Sequence, residues 1–128
     1  MQKFKYDQIQ SLQEFLYCSC IHDAKFISFI YDYNRKNITI EAINAIVKTK
    51  ISILFKNVDI VFAFKGNEFG DRETISSLCV EKNSSFLENS ILKFKQMSKD
   101  YLYLVFEMFS GDEIHIISQE VHFEMLNL

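Results

Sequence analysis

The sequence predicts an α+β fold, mainly antiparallel β-sheet of about six to eight strands joined in hairpins, with an N-terminal helix and a second short helix. Apolar residues recur at helical spacing near the N-terminus and near residue 90, whereas most of the remaining chain alternates apolar and polar residues in short runs. Gly, Asn and Asp cluster between those runs, as strand-connecting turns require. A length of 128 residues fits one domain, residues 1–128, that buries a core without disulfides or metals. With 13 Phe, 6 Tyr and 48% apolar residues, the chain is too hydrophobic for a disordered protein.

Ile9, Leu12, Phe15 and Leu16 lie three or four apart, which predicts an amphipathic helix from Asp7 to about Tyr17, with Asp7 as its cap. Over Lys25 to Tyr33, Ile27, Phe29, Tyr31 and Tyr33 share one strand face while Phe26 and Ile30 occupy the other. The polar turn Asn34-Arg35-Lys36-Asn37 leads to a returning strand carrying Ile38, Ile40 and Ala42. Ile51, Ile53 and Phe55 predict another strand, and Val58, Ile60, Phe62 and Phe64, read as one face, predict the next. Segment 66–73 reads as a surface loop and Ile75 to Val80 as a short strand, after which Ser84 or Ser85 would cap the second helix through Phe94. A two-residue Gly111-Asp112 loop would form a hairpin pairing Phe109 with Ile114 and Phe106 with Ile117. Glu120, His122 and Glu124 then alternate with Val121, Phe123 and Met125, which puts the polar set on the outer face of a final strand.

Charge is polarised along this chain. Six of its 17 carboxylates (Asp100, Glu107, Asp112, Glu113, Glu120, Glu124) lie in the last 29 residues, which hold no Lys or Arg. The first 99 residues therefore carry 14 basic against 11 acidic groups, a balance of +3, and the remainder −6. Basic residues are scattered singly apart from Arg35-Lys36, which argues against nucleic acid as a partner. The N-terminus lacks the apolar core of a signal peptide, and no run approaches the roughly 18 apolar residues of a membrane span. Cys18, Cys20 and Cys79 are odd in number and fit free thiols of a reducing, cytoplasmic compartment. The absence of Pro and the abundance of Lys, Asn and Ile accord with an AT-rich bacterial genome.

Cys18, Cys20, His22 and Asp23 place two thiols, an imidazole and a carboxylate within six residues, but no second knuckle completes a zinc site, and Cys79, His115 or His122 would have to approach from elsewhere in the chain. His22-Asp23 also matches the dipeptide that names the HD phosphohydrolases, which are all-helical, unlike a chain patterned for strands. The structural alternative is a turn closed by Asp23, with His22 bonded to a backbone carbonyl or a carboxylate. No Ser sits in a GxSxG elbow, and Gly66-x-x-x-Gly70 lacks the Lys-Ser/Thr of a phosphate loop. Tyr31, Tyr33, Tyr101 and Tyr103 could stack bases, yet no basic groove accompanies them in the sequence. No catalytic residue and no cofactor is therefore expected.

Ile21-His22-Asp23-Ala24 leading into a strand, the strand Ile38-Thr39-Ile40-Glu41, and the late hairpin ending Gly111-Asp112-Glu113-Ile114-His115-Ile116 together resemble small β-rich bacterial families with an "HDA" start. Some of these are grouped with immunity proteins of polymorphic toxin systems. The resemblance implies a cytoplasmic, non-enzymatic protein that binds and neutralises a cognate toxin, and it supplies no catalytic residues. An acidic surface would steer a basic toxin, so Glu107, Asp112, Glu113, Glu120 and Glu124 are the expected partner contacts. Two other expectations compete: a small-molecule or metal-dependent hydrolytic site at His22 and Asp23 with one cysteine, and a homodimer formed through an exposed sheet edge or aromatic face.

Overall fold

The computed structural model describes residues 1–66, 73–81 and 100–128. Two long antiparallel strands form its spine, β4 (Thr49–Phe64) and β7 (Glu113–Asn127), paired from Thr49 opposite Asn127 to Phe64 opposite Glu113. β3 (Asn37–Asn44) lies against β4, and β2 (Lys25–Asp32) lies beyond it. On the other side of β7, β6 (Leu102–Met108) pairs with Glu113 to Ser118, and β1 (Gln2–Lys5) pairs with Glu120 to Phe123. β5 (Ile75–Val80) pairs with β6, so the order among the described residues is β2-β3-β4-β7-β6-β5, with β1 sharing the β7 edge. The expected mainly antiparallel sheet is present. The second helix expected up to Phe94 and most of the loop expected over 66–73 lie outside the described residues.

The N-terminal helix is α1 (Ile9–Tyr17), which turns Leu12 into the core and sets Phe15 against Phe4 and Phe123 at ring distances of 5.3 and 4.9 Å. Asp7 is not its cap. Pairing of β1 carries the chain to Lys5, whose amide donates to Gln8 Oε1, and this closes a 3-10 turn over Tyr6–Gln8 that absorbs Asp7 before the helix begins.

The sheet curls until its two ends meet. Lys25 and Thr74 form a bridge, Phe26 N donates to Glu73 O at 2.6 Å, and Ile75 exchanges bonds with Ala24 O and Asp23 N at 2.8 and 2.9 Å. This closure encloses a core of Ile38, Ile40, Ile51, Ile53, Phe55, Leu104, Phe106, Ile116, Val121 and Phe123. Phe106 contacts Phe26 from one end of the sheet and Phe55 from its middle, both edge-on. Burying unpaired strand ends in this way limits exposed edge.

Three local irregularities decide which residues face that core. The two strands expected over Ile51 to Phe64 are one, because Asn57 takes φ 54°, kinking the strand without ending its ladder, and its amide donates to Gln119 Oε1 at 3.3 Å. A register shift between Val58 and Ile60 then separates residues read as one face: Val58 enters the core, whereas Ile60, Phe62 and Phe64 point outward. In the last hairpin the expected register is also overturned. Gly111 adopts φ 87° and donates to Met108 O, and Met108 N donates to Asp112 O, so the loop is a three-residue one with a left-handed last position. Phe106 therefore faces Ile114, and Glu107 faces Glu113.

Asn44, 4% exposed at the end of β3, ties the α1 to β2 connection to the β3 to β4 turn. Its Nδ2 donates to Cys20 O and His22 O at 2.8 and 3.2 Å, and its Oδ1 accepts from Ile46 N and Val47 N at 3.0 and 3.3 Å. Asn44→Ala leaves these groups without partners and is expected to cost about 1–3 kcal/mol. Urea denaturation should show a lowered midpoint at unchanged slope, and a midpoint shift under about 0.3 kcal/mol would show that water satisfies them instead.

Candidate functional site

The sheet, not the sequence order, distributes the acidic residues. Glu120 is opposite Lys5 of β1 on one side and Lys56 of β4 on the other. His122 Nε2 lies 3.0 Å from Glu120 Oε1, although its N–H is not aligned for a full hydrogen bond. The neighbouring His122, then Lys5 and Lys56, outweigh desolvation and hold the Glu120 carboxyl below its usual range. Glu124 is exposed opposite Ser52, in a strand neighbourhood that also contains Lys50 and Glu41 at 3.8 Å. The outer face of the final strand is thus of mixed charge.

Asp112 is also occupied. Its Oδ1 accepts from Gly66 N at 2.5 Å, where the two backbones approach so closely that a Cβ on Gly66 would meet Gly111 C at 2.5 Å. Its carboxylate fastens the end of β4 to the hairpin. Glu107 and Glu113 differ, because they sit directly opposite one another on β6 and β7. Like charges in that relation repel. Phe64, opposite Glu113 on the other side, is 53% exposed.

Beside this acidic pair lies a polar chain that the sequence reading missed. His115 Nε2 is 3.1 Å from Glu113 Oε1 and His115 Nδ1 is 2.7 Å from Tyr103 Oη. A carboxylate accepts only, so Nε2 carries the proton, and in the neutral ring Nδ1 accepts from the Tyr103 hydroxyl. Phe62 stacks on the imidazole at 4.3 Å, Phe64 meets it edge-on at 5.5 Å, and Tyr103 is 2% exposed. The signal available was Glu113-x-His115 and Tyr101-x-Tyr103, polar pairs at strand spacing on apolar strands. Their meeting depended on the hairpin register. Tyr31 of β2 and Tyr33 in the turn beyond it form a separate pair at 6.3 Å, so no ring contact joins them to Tyr101 and Tyr103 among the described residues.

Cys18, Cys20, His22 and Asp23 do not converge. Cys18 is exposed, while Cys20 Sγ contacts Met125 Sδ at 3.9 Å. His22 Nδ1 donates to Ser76 O, its Nε2 is 3.5 Å from Asp23, and Asp23 takes φ 69° in the turn. All three cysteines are free, and among the described residues no three His, Cys, Asp or Glu side chains are placed to hold a metal ion. A cleft of about 390 Å³ does open beside His22, between α1 and β5, but the thiol lining it is Cys79. Among the described residues no helix is long and apolar enough to cross a membrane.

Comparison with protein-family models and with curated proteins finds no match. What the geometry offers is a rigid outer face on which Glu107, Glu113 and Phe64 are grouped over the His115 chain, suited to binding through charge and aromatic contact.

Glu120 gives a pH signature that separates it from that group. Its folded pKa is depressed, so its stabilising contacts are fully present above the unfolded pKa and are lost as pH falls through the folded one. Wild type should exceed Glu120→Gln in stability at neutral pH by under about 1 kcal/mol, the scale of a solvent-screened pair, and the gap should close on acidification. Urea midpoints across the acid range test this; a gap that widens toward low pH contradicts it.

Proposed function

We propose that this chain is a non-enzymatic protein-binding domain, a cytoplasmic bacterial immunity protein that neutralises a cognate basic toxin. The observation that carries the reading is the direct opposition of Glu107 and Glu113 beside exposed Phe64. Retaining two carboxylates face to face costs stability in the free protein, and a partner's Arg or Lys between them removes the repulsion while an aromatic ring supports the cation's stem. Glu120, Glu124 and Asp112 contribute less in this reading, since lysines flank the first, mixed charge surrounds the second and Gly66 engages the third. The resemblance of the segments around Ile21 to Ala24 and Gly111 to Ile116 to immunity families supports the same conclusion.

A homodimer is favoured by one separate observation: β2 is the terminal strand in the order of the described residues and exposes Ile27, Phe29, Ile30 and Tyr31, with Tyr33 exposed in the turn beyond it. Light scattering across concentration distinguishes it, because a monomer at all concentrations removes that reading.

Tagged protein expressed in its source cells should capture a basic protein. The double variant Glu107→Lys, Glu113→Lys should bind it at least about a hundredfold more weakly, two lost charge contacts at about 1.4 kcal/mol each. It should remain folded, losing about 1–2 kcal/mol for the His115 hydrogen bond that Glu113 accepts. Failure to capture any protein, or capture with affinity unchanged by the double substitution, rules the proposal out.

A further inference from the structure

Among the described strands β5 ends the order beyond β6 and is presented edge-on. Its residues Ser76 to Val80 all line the cleft against α1, although Leu78 faces the core and Ser77 and Cys79 face outward. Residues from both strand faces can border one cleft only where it runs along the strand's hydrogen-bonding edge. The bonding pattern identifies which groups project there. Glu81 N donates to Tyr103 O at 2.8 Å, which makes Glu81 and Tyr103 a hydrogen-bonded pair. By alternation Cys79 with Val105 and Ser77 with Glu107 are also bonded pairs, so the N–H and C=O of Leu78 and Val80 point away from β6. At the start of β5 the same outward side is used by the chain itself: Ile75 bonds to Asp23 and Ala24, and Ser76 O accepts from His22. Beyond that point the backbone groups of Leu78 and Val80 have no partner among the described residues.

We infer that the β5 edge binds an extended segment of a basic protein as an additional strand, with backbone bonds to Leu78 and Val80 and an apolar side chain in the α1 cleft. Strand addition to an open edge with alternate side chains in pockets is a recurring mode of peptide recognition. The occupant's charge follows from the row of outward residues Glu113, Glu107 and Ser77 on β7, β6 and β5. An added strand continues that row about 10 Å from β6, two strand spacings, and the short Ser77 side chain leaves room for a Lys or Arg to reach across to Glu107. Neither α1 nor the lining residues contribute a Lys or Arg to repel it. This deepens the proposed function, since the basic partner is the same, but the test needs no native partner.

Val80→Pro removes the outward donor alone, a change that an edge position tolerates because its N–H makes no ladder bond. A phage-displayed library of random short peptides is selected on the wild-type protein and counter-selected on this variant. Enriched peptides should alternate apolar residues with Lys or Arg, bind Val80→Pro at least about tenfold more weakly, and lose their preference for basic residues on Glu107→Gln while still binding. In the free protein the Leu78 and Val80 amides should exchange hydrogen faster than that of Cys79, and peptide should slow them. Slow exchange at Leu78 and Val80 without peptide, equal binding to Val80→Pro, or selection of no peptide overturns the inference. Those outcomes leave the partner capture and the Glu107 and Glu113 substitutions to judge the functional reading separately.

Discussion

Pairing of β4 with β7 along their whole length is the constraint on which the rest of this molecule depends. It joins residues 49–64 to residues 113–127, so the ladder forms only after a long loop has been closed. Once made, it supplies both edges on which the other strands assemble: β3 and β2 on one side, and β6 with β1 end to end on the other. The kink at Asn57 and Gln119 lies in the middle of the pair and turns both strands together.

The same ladder sorts the charges. A carboxylate-rich segment without a single Lys or Arg suggests an acidic surface, yet β1 and β4 come from the basic part of the chain and set Lys5 and Lys56 on either side of Glu120. Strand pairing thereby mixes what the sequence keeps apart. Among the described strand pairs only β6 sets an acidic residue against another, because the Gly111 loop places Glu107 opposite Glu113. A hydrogen-bonded chain through His115 to Tyr103 fixes Glu113 from one side, and Phe64 stands exposed on the other. Preorganisation of this kind suits recognition, since little side-chain freedom remains to be lost on binding.

Alternation made most elements legible. The helix over Ile9 to Tyr17, the hairpin of β2 and β3, the short β5 and the inward Val121 and Phe123 follow directly from spacing. Where spacing failed, a backbone conformation intervened that no apolar pattern records: positive φ at Asn57 and Gly111, and the shift after Val58. β1 was missed because Gln2 to Lys5 buries only Phe4 and is a strand by virtue of its partner.

By itself the sequence determined the fold class, the helix, the polarity of most strand faces and the division of charge along the chain, because these depend on local spacing and composition. Only the tertiary structure decided which acidic groups stand together, that Cys18 and Cys20 do not meet His22 as ligands, and that β5 leaves the backbone of Leu78 and Val80 facing a cleft. Each of these is a relation between distant segments, set by hydrogen-bond register. A shift of one residue in register would move every side chain to the opposite face.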